Sequence, residues 1–138
     1  MKFTRKASAN WKGSGKEGKG TVSTETKVLD NSPYSFKTRF EGGAQTNPEE
    51  LIGAAHAGCF TMKLSFVLAE KGFTASNIDT SSSITMEDGK ITQAHLDLKA
   101  SVPDISEEDF QAAANEAKTE CPISVLLNTK ITLDAELI

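Results

Sequence analysis

The sequence predicts an α+β domain, because two apolar helical segments alternate along the chain with strand-like segments. The helical segments cover residues 47–71 and 106–128, and strand-like residues lie before, between and after them. About six or seven strands are expected from the turns and the alternation of side chains. At 138 residues the chain has the length of a single domain, which we place at residues 1–138.

The strands of the N-terminal part are predicted within residues 2–40. Residues 2–12 and 20–28 are rich in Thr, Val and Phe, and a Gly- and Lys-rich turn separates them. Residues 34–40 alternate aromatic or Thr side chains with polar ones, which predicts a further strand. In that strand Arg39 lies on the face opposite to the aromatic side chains.

The segment 47–71 carries the signals of a long central helix. Asn47 can cap its start, and Pro48 suits its first position. Within residues 51–69 the only charged side chain is that of Lys63, so the helix is apolar on all sides. A helix of this kind is normally buried on all sides.

A membrane-spanning helix is one alternative for this segment, since about twenty apolar residues can cross a bilayer. His56 and Lys63 argue against it, as does the absence of a second span or of flanking basic loops. In a soluble chain of this size, burial on all sides is easier if two copies pack these helices together. The small residues from Gly53 to Gly58 allow a close crossing, so a homodimer is expected.

Residues 77–102 predict a β-hairpin that turns at Asp88-Gly89. In its second strand His95 alternates onto the polar face, which favours a surface histidine over a metal ligand. Residues 130–137 also alternate and predict the final strand.

The second helix, residues 106–128, is expected to break at Cys121-Pro122, because a residue that precedes proline avoids the helical conformation. An apolar stripe runs along this segment and directs Cys121 toward the core. Its members are Phe110, Ala114, Ala117, Cys121 and Val125.

The composition excludes several classes of function. A net charge of −4 and a pI near 5.2, without a local basic cluster, argue against a nucleic-acid surface. The N-terminal residues have no apolar core of a signal peptide, so a cytoplasmic location is expected. In that compartment a pair of cysteines is more often catalytic, redox-active or metal-binding than a structural disulfide.

Cys59, in the middle of the central helix, is the candidate reactive thiol, although a buried and inert cysteine is the competing interpretation. A redox cysteine reacts as the thiolate, which a nearby cation stabilises. Arg39 is the better candidate cation, with Glu49 holding its guanidinium by paired hydrogen bonds. Lys63 is a less attractive alternative because its side chain can reach solvent.

The spacing of these residues constrains the site. Glu49 and Cys59 lie ten positions apart, or about 15 Å along a straight helix, so they cannot meet within one chain. In an antiparallel pair of helices that cross near Ala54, Glu49 of one chain lies level with Cys59 of the other. We therefore expect a site shared between subunits, with Glu49 supplied by the partner subunit.

Four stretches of the chain form recognisable motifs: TVSTETKVLD, PYSFKTRFEG, TNPEELIGAAHAGCF and AKTECPISVLLNTKITLDAEL. They closely resemble the OsmC (osmotically inducible protein C) branch of the OsmC/Ohr (organic hydroperoxide resistance) family. The resemblance runs essentially from end to end and is weakest over residues 80–120. It implies an OsmC-like fold, in which two antiparallel-rich sheets wrap around two long central helices of an intertwined homodimer.

The resemblance also implies a thiol-dependent peroxidase of oxidative and osmotic stress defence. Cys59 matches the family's peroxidatic cysteine and Cys121 its resolving cysteine, while Arg39 and Glu49 match its arginine and glutamate. Organic hydroperoxides are the expected substrates and hydrogen peroxide a poorer one. No metal or organic cofactor is expected, and the expected reductant is an external dithiol such as a lipoylated protein. Four side chains could line the substrate pocket, namely Phe36, Phe40, Phe60 and Met62.

Two other functions compete with the peroxidase. A metal-binding or sensor protein could use Cys59, Cys121, His56 and His95, but the chain has no CxxC or paired-histidine spacing. A dimeric module that binds a small molecule, with two packed and inert cysteines, is the simpler competitor.

Overall fold

The computed structural model describes all 138 residues. The chain forms two compact units, Met1–Leu51 and Ile52–Ile138. The elements are β1 (Ala7–Lys12), β2 (Lys19–Thr24), β3 (Ser32–Ser35), α1 (Phe36–Phe40), α2 (Pro48–Glu70), β4 (Asn77–Glu87), β5 (Lys90–Ser101), α3 (Glu107–Glu120), α4 (Pro122–Leu126) and β6 (Lys130–Leu137). Each unit holds one three-stranded sheet. The predicted α+β class is confirmed.

The first unit contains an antiparallel sheet in the order β1-β2-β3. The rings of Trp11 and Tyr34 lie 5.3 Å apart across Gly20, where an added Cβ would collide with both. Glycine is therefore required at this point of β2. The strands are shorter than the sequence predicts, since residues 2–6 and 25–28 lie outside them.

Residues 34–40 do not form the predicted strand, because β3 ends at Ser35 and α1 follows. A reciprocal capping box starts α1: the Thr38 N–H donates to Ser35 Oγ, and the Ser35 N–H donates to Thr38 Oγ1 at 2.9 Å. The helix brings the rings of Phe36 and Phe40 to 4.7 Å from each other. Positions i and i+4 share a face in a strand and in a helix, so the alternation alone was ambiguous.

Helix α2 begins as the sequence predicts, with the Glu50 N–H donating to the capping Asn47 Oδ1 at 2.8 Å. Within the single chain, α2 is buried along one side only. Six residues form one buried stripe: Gly53, His56, Phe60, Leu64, Val67 and Leu68. Met62 and Phe66 are 64% and 60% exposed. One face of α2 is therefore exposed in the single chain, and its expected burial against a second copy stays a prediction. By length and composition alone, α2 could also span a membrane.

The second unit contains the sheet β4-β5-β6 and the hydrophobic core. Strands β4 and β5 form an antiparallel hairpin whose turn residues, Asp88 and Gly89, both have positive φ angles, as a type I′ turn requires. Strand β6 pairs with β5 in parallel, through a connection that contains α3 and α4. The core is formed by one face of β5 and the buried sides of α2 and α3.

The second helical segment breaks between α3 and α4 at Cys121, where ψ is 124°. Cys121 is fully buried, as its position in the apolar stripe indicates. Val125 was expected on the same stripe, but it is 72% exposed. The break at Cys121 reorients α4, so the helical spacing does not continue across it.

Candidate active site

The structure brings the two cysteines together. Cys59 lies on α2 and is partly exposed, while Cys121 precedes α4 and is fully buried. Cys121 lies near enough to Cys59 for its thiol to raise the pKa of Cys59, and both cysteines are free.

The surroundings of Cys59 within its own unit disfavour the thiolate. Burial raises the pKa of the Cys59 thiol, and the hydrogen bond with Cys121 raises it further. A hydrogen bond with the backbone of Ile123 lowers this pKa. Because Pro122 opens α4, the Ile123 N–H is one of the amides left without a partner inside the helix. The sequence analysis missed this donor, although a proline directly after a cysteine signals such free amides.

Arg39 and Glu49 form an ion pair within one chain. Arg39 Nε and Nη2 donate to Glu49 Oε1 at 3.0 and 2.9 Å. The short loop after α1 returns the chain to the first turn of α2, so Arg39 and the Glu49 that orients it come from the same subunit. That this pair reaches Cys59 from the partner subunit stays a prediction. Glu49 itself remains ten residues from Cys59 on that helix, or about 15 Å.

Lys63, the alternative cation for Cys59, is paired with Glu120. Its Nζ lies 2.7 Å from Glu120 Oε2, and this hydrogen bond raises the pKa of Lys63. The ammonium charge is therefore already paired with a carboxylate at the end of α3.

The four expected pocket residues occupy different surroundings. Phe36 and Phe40 border a cavity of about 220 Å³ beside Arg39, together with Trp11, Gly15, Tyr34 and Ser35. Phe60 is fully buried in the core of the second unit, and Met62 is exposed on α2. Phe36 and Phe40 therefore line the cavity beside Arg39, whereas Met62 borders a different cavity, between α2 and β4.

His56 is completely buried on α2, and its Nε2 lies 2.7 Å from Ser124 Oγ. Its Nδ1 has no hydrogen-bond partner. Burial lowers the pKa of His56, so the ring is neutral at physiological pH. The sequence favours a hydrogen-bonded core or interface histidine over a metal ligand at this position, and the structure agrees. It does not identify Ser124 as the partner, because the two residues are distant in sequence.

His95 lies on the face of β5 that points away from the core. Its ring hydrogen-bonds to Thr132 at 2.6 Å and lies within 3.5 Å of Asp97 and Asp134. These three titratable residues are the one group in the chain with the spacing of metal ligands, and two of them are exposed acids. The combination of Cys59, Cys121, His56 and His95 that the competing metal site would need is not assembled.

A family model described as OsmC-like protein matches residues 41–136. The chain is also 48% identical over 141 residues to Peroxiredoxin OsmC of Escherichia coli K12, with 99% of each sequence covered. The chain belongs to the OsmC-like protein family. This confirms the membership that the sequence motifs indicate.

More distant relatives and solved structures agree with this assignment. Organic hydroperoxide resistance protein-like 2 of Staphylococcus epidermidis ATCC 12228 is 24% identical over 113 residues, which cover 80% of this chain and 79% of the relative. The crystal structure of the organic hydroperoxide resistance protein OhrB of Bacillus subtilis superposes with a TM-score of 0.69 at 26% identity, covering 97% of this chain and 98% of that one. A corresponding protein of Elizabethkingia anophelis gives a TM-score of 0.72 at 23% identity over the full length of both chains, and supports the fold.

Proposed function

We propose that this OsmC-family protein is a thiol-dependent peroxidase that reduces organic hydroperoxides to alcohols, and hydrogen peroxide less well. The names of its relatives, a peroxiredoxin and organic hydroperoxide resistance proteins, support this activity and a role in stress defence. The observation that carries the proposal is the contact between the Cys59 and Cys121 thiols.

In the first step the Cys59 thiolate attacks the terminal oxygen of ROOH. The O–O bond breaks, Cys59 becomes a sulfenic acid, and the alkoxide takes up a proton and leaves as an alcohol. Arg39 stabilises the thiolate and donates to the oxygen on which charge develops. Glu49 holds the guanidinium in one orientation through the two hydrogen bonds at 2.9 and 3.0 Å.

In the second step the Cys121 thiol condenses with the sulfenic acid. A Cys59–Cys121 disulfide forms and water leaves. An external dithiol then supplies two electrons and two protons by thiol–disulfide exchange, which restores both thiols. A lipoylated protein is one such dithiol. The cycle uses no metal or organic cofactor.

The active form in this proposal is a homodimer. Within one chain the pKa of Cys59 is raised, and Glu49, which binds Arg39, lies about 15 Å away along α2. An antiparallel crossing of two α2 helices near Ala54 places the Arg39–Glu49 pair of one chain beside Cys59 of the other. Each site then combines a thiol pair from one subunit with a cation from its partner.

The exposed side of α2 supports this assembly. Met62 and Phe66 are both more than half exposed, and Ala54, Ala55 and Gly58 are exposed beside them. An apolar helix face of this kind is typical of a permanent homodimer interface. With that face covered, the protein is soluble, and we place it in the cytoplasm.

The preference for organic hydroperoxides follows from the cavity beside Arg39. Phe36 and Phe40 offer an apolar wall for the organic group, while the guanidinium faces the peroxide oxygens. Hydrogen peroxide has no apolar group to fill this space, so it gains less from binding.

The experiment adds one equivalent of cumene hydroperoxide to the reduced protein, counts free thiols and searches by mass spectrometry for a Cys59–Cys121 disulfide. We expect loss of both thiols and formation of this disulfide. Cys59→Ser should abolish turnover, and Cys121→Ser should leave a sulfenic acid on Cys59 that dimedone traps. Survival of both thiols in the native protein would exclude the peroxidase and leave the binding module with inert cysteines.

A further inference from the structure

The feature that the mechanism above does not use is the buried hydrogen bond between His56 and Ser124. His56 lies three positions before Cys59, so the two side chains are neighbours on α2. Ser124 lies on α4, three positions after Cys121. The His56 Nε2 to Ser124 Oγ distance is 2.7 Å, and both residues are buried. The bond therefore connects the two segments that carry the thiols.

Helix α4 needs such a connection because it has little else to hold it. It has five residues, and a helix this short is not stable by itself. Val125 and Leu126 are exposed, and the bond from His56 is the one hydrogen bond between two side chains that joins α4 to another element. Yet this segment supplies both groups that contact the Cys59 sulfur, the Cys121 thiol and the Ile123 N–H.

We infer that His56 is a positioning residue for the resolving step: by binding Ser124 it holds α4 so that Cys121 stays in contact with Cys59 after peroxide has reacted. The inference rests on the proposed peroxidase function. It concerns which of two reactions consumes the sulfenic acid. Condensation with Cys121 gives the disulfide and water, whereas a second ROOH gives the sulfinic acid and ROH.

The chemistry of the ring fits a positioning role. A neutral imidazole has one N–H, and an unpaired buried N–H is rarer in proteins than an unpaired acceptor. Because Nδ1 has no partner, Nε2 carries the hydrogen and donates to Ser124 Oγ. The ring is then neutral and brings no positive charge to the Cys59 thiolate. Loss of the bond should therefore slow resolution and leave the attack on peroxide nearly unchanged.

The test uses the full-length protein and four variants. Ser124→Ala and His56→Leu remove the bond, while His56→Gln keeps an N–H donor close to the position of Nε2. Thr80→Val is the matched control, because it removes the 2.8 Å hydrogen bond from Thr61 on the same helix to β4, away from α4. Reduced protein is mixed with one equivalent of cumene hydroperoxide in the presence of dimedone. Loss of the Cys59 thiolate reports the first step, and the ratio of dimedone adduct to disulfide reports the second.

We expect Ser124→Ala and His56→Leu to slow disulfide formation by about threefold to tenfold, the range that one net hydrogen bond supplies. The first step should stay within about twofold in these variants, a prediction that follows from the uncharged ring. Excess peroxide should convert more of their Cys59 to sulfinic acid. His56→Gln should restore most of the disulfide yield, and Thr80→Val should resemble the native protein. Nitrogen NMR of His56 should show the tautomer with its hydrogen on Nε2.

Two results would overturn the inference: an unchanged adduct-to-disulfide ratio in Ser124→Ala, or an equal change in Thr80→Val, which would indicate general loosening of α2. If His56→Leu does not fold, Ser124→Ala still decides the question. Failure of the proposed function itself looks different, because the native protein would then lose no thiols with peroxide.

Discussion

The two units of the chain differ in how they bury apolar side chains. Every fully buried hydrophobic residue lies in the second unit, between Phe60 and Cys121. The first unit has a three-stranded sheet and an aromatic pair, but its one buried side chain is the polar Thr38. A three-stranded sheet needs an apolar face packed on something to be stable. The first unit therefore depends on cover that its own residues do not supply.

The chemical groups are divided in the same way. The first unit carries a cation already oriented by a carboxylate, and the second carries two thiols, with the nearby Lys63 already paired with Glu120. Neither unit by itself combines the thiols with an oriented guanidinium. The first unit needs cover for its sheet, and the thiols of the second unit need a cation. We propose that a second copy of the chain meets both needs.

The largest effect should come from separating the two copies. Ala54→Glu places like charges opposite each other at the proposed crossing of the α2 helices, on a side chain that is exposed in the single chain. We expect a monomer whose rate of thiol oxidation falls by about 100-fold or more, because it has lost the cation near Cys59. Light scattering and single-turnover kinetics measure both effects.

Ala69→Glu is the matched control for this experiment. It introduces the same charge on an exposed position at the far end of α2, about 22 Å from Ala54. It should leave the dimer and the rate intact. A monomeric Ala54→Glu protein with native activity would contradict the shared site.

The next largest effect should come from the cation itself. Arg39→Ala should raise the pKa of Cys59 and slow its reaction with peroxide by about 100-fold, because the donor to the developing charge is lost. Glu49→Gln should have a smaller effect, since it weakens the orientation of Arg39 and leaves its charge. Second-order rate constants with cumene hydroperoxide test this order. An unchanged rate in Arg39→Ala would remove Arg39 from the mechanism.

A smaller effect is expected within the thiol pair. The Cys121 thiol raises the pKa of Cys59, so Cys121→Ala should lower that pKa and increase the thiolate fraction at neutral pH. Thiolate absorbance at 240 nm as a function of pH measures the change. The same titration of Cys59→Ala supplies the baseline from Cys121. A Cys59 pKa that rises in Cys121→Ala would contradict the assigned contact.

The smallest expected effect is on the free energy of unfolding, and it concerns His56, which is buried in the second unit. Burial holds the pKa of His56 in the folded protein below its ordinary value of 6.5. At a pH between the folded-state pKa and 6.5, the unfolded chain therefore binds more protons than the folded one. The contribution of His56 to stability is complete above pH 6.5 and is lost as the pH falls toward its folded-state pKa. Urea unfolding at pH 7.5 and pH 5 should show this loss in the native protein. His56→Gln should show a weaker pH dependence; an equal dependence would exclude His56 as its source.

Local signals in the sequence predicted much of the second unit. The turn at Asp88-Gly89, the break at Cys121 and the inward direction of Cys121 each depend on neighbouring residues, and they agree with the structure. The strand predicted at residues 34–40 was wrong, because spacing of four fits a helix as well.

Long-range contacts were the part that the sequence could not provide. The motifs indicated the roles of Cys59 and Cys121, but not that the Ile123 amide binds the thiol or that Ser124 binds His56. Those contacts depend on how α4 packs after its break. The apolarity of α2 likewise shows that a face of the helix needs cover, without showing which chain provides it.

The parallel pairing of β5 and β6 has a consequence for the order of folding. The β4–β5 hairpin joins neighbouring residues through a tight turn, and hairpins form in about 1–10 μs. Strand β6 can join it only after the whole connection from Ser101 to Lys130 has been arranged, which makes this a slow, non-local step. Cys121 lies within that connection. A newly made chain therefore carries Cys59 before its resolving thiol is in place, so nascent chains should be the form of this protein most easily overoxidised.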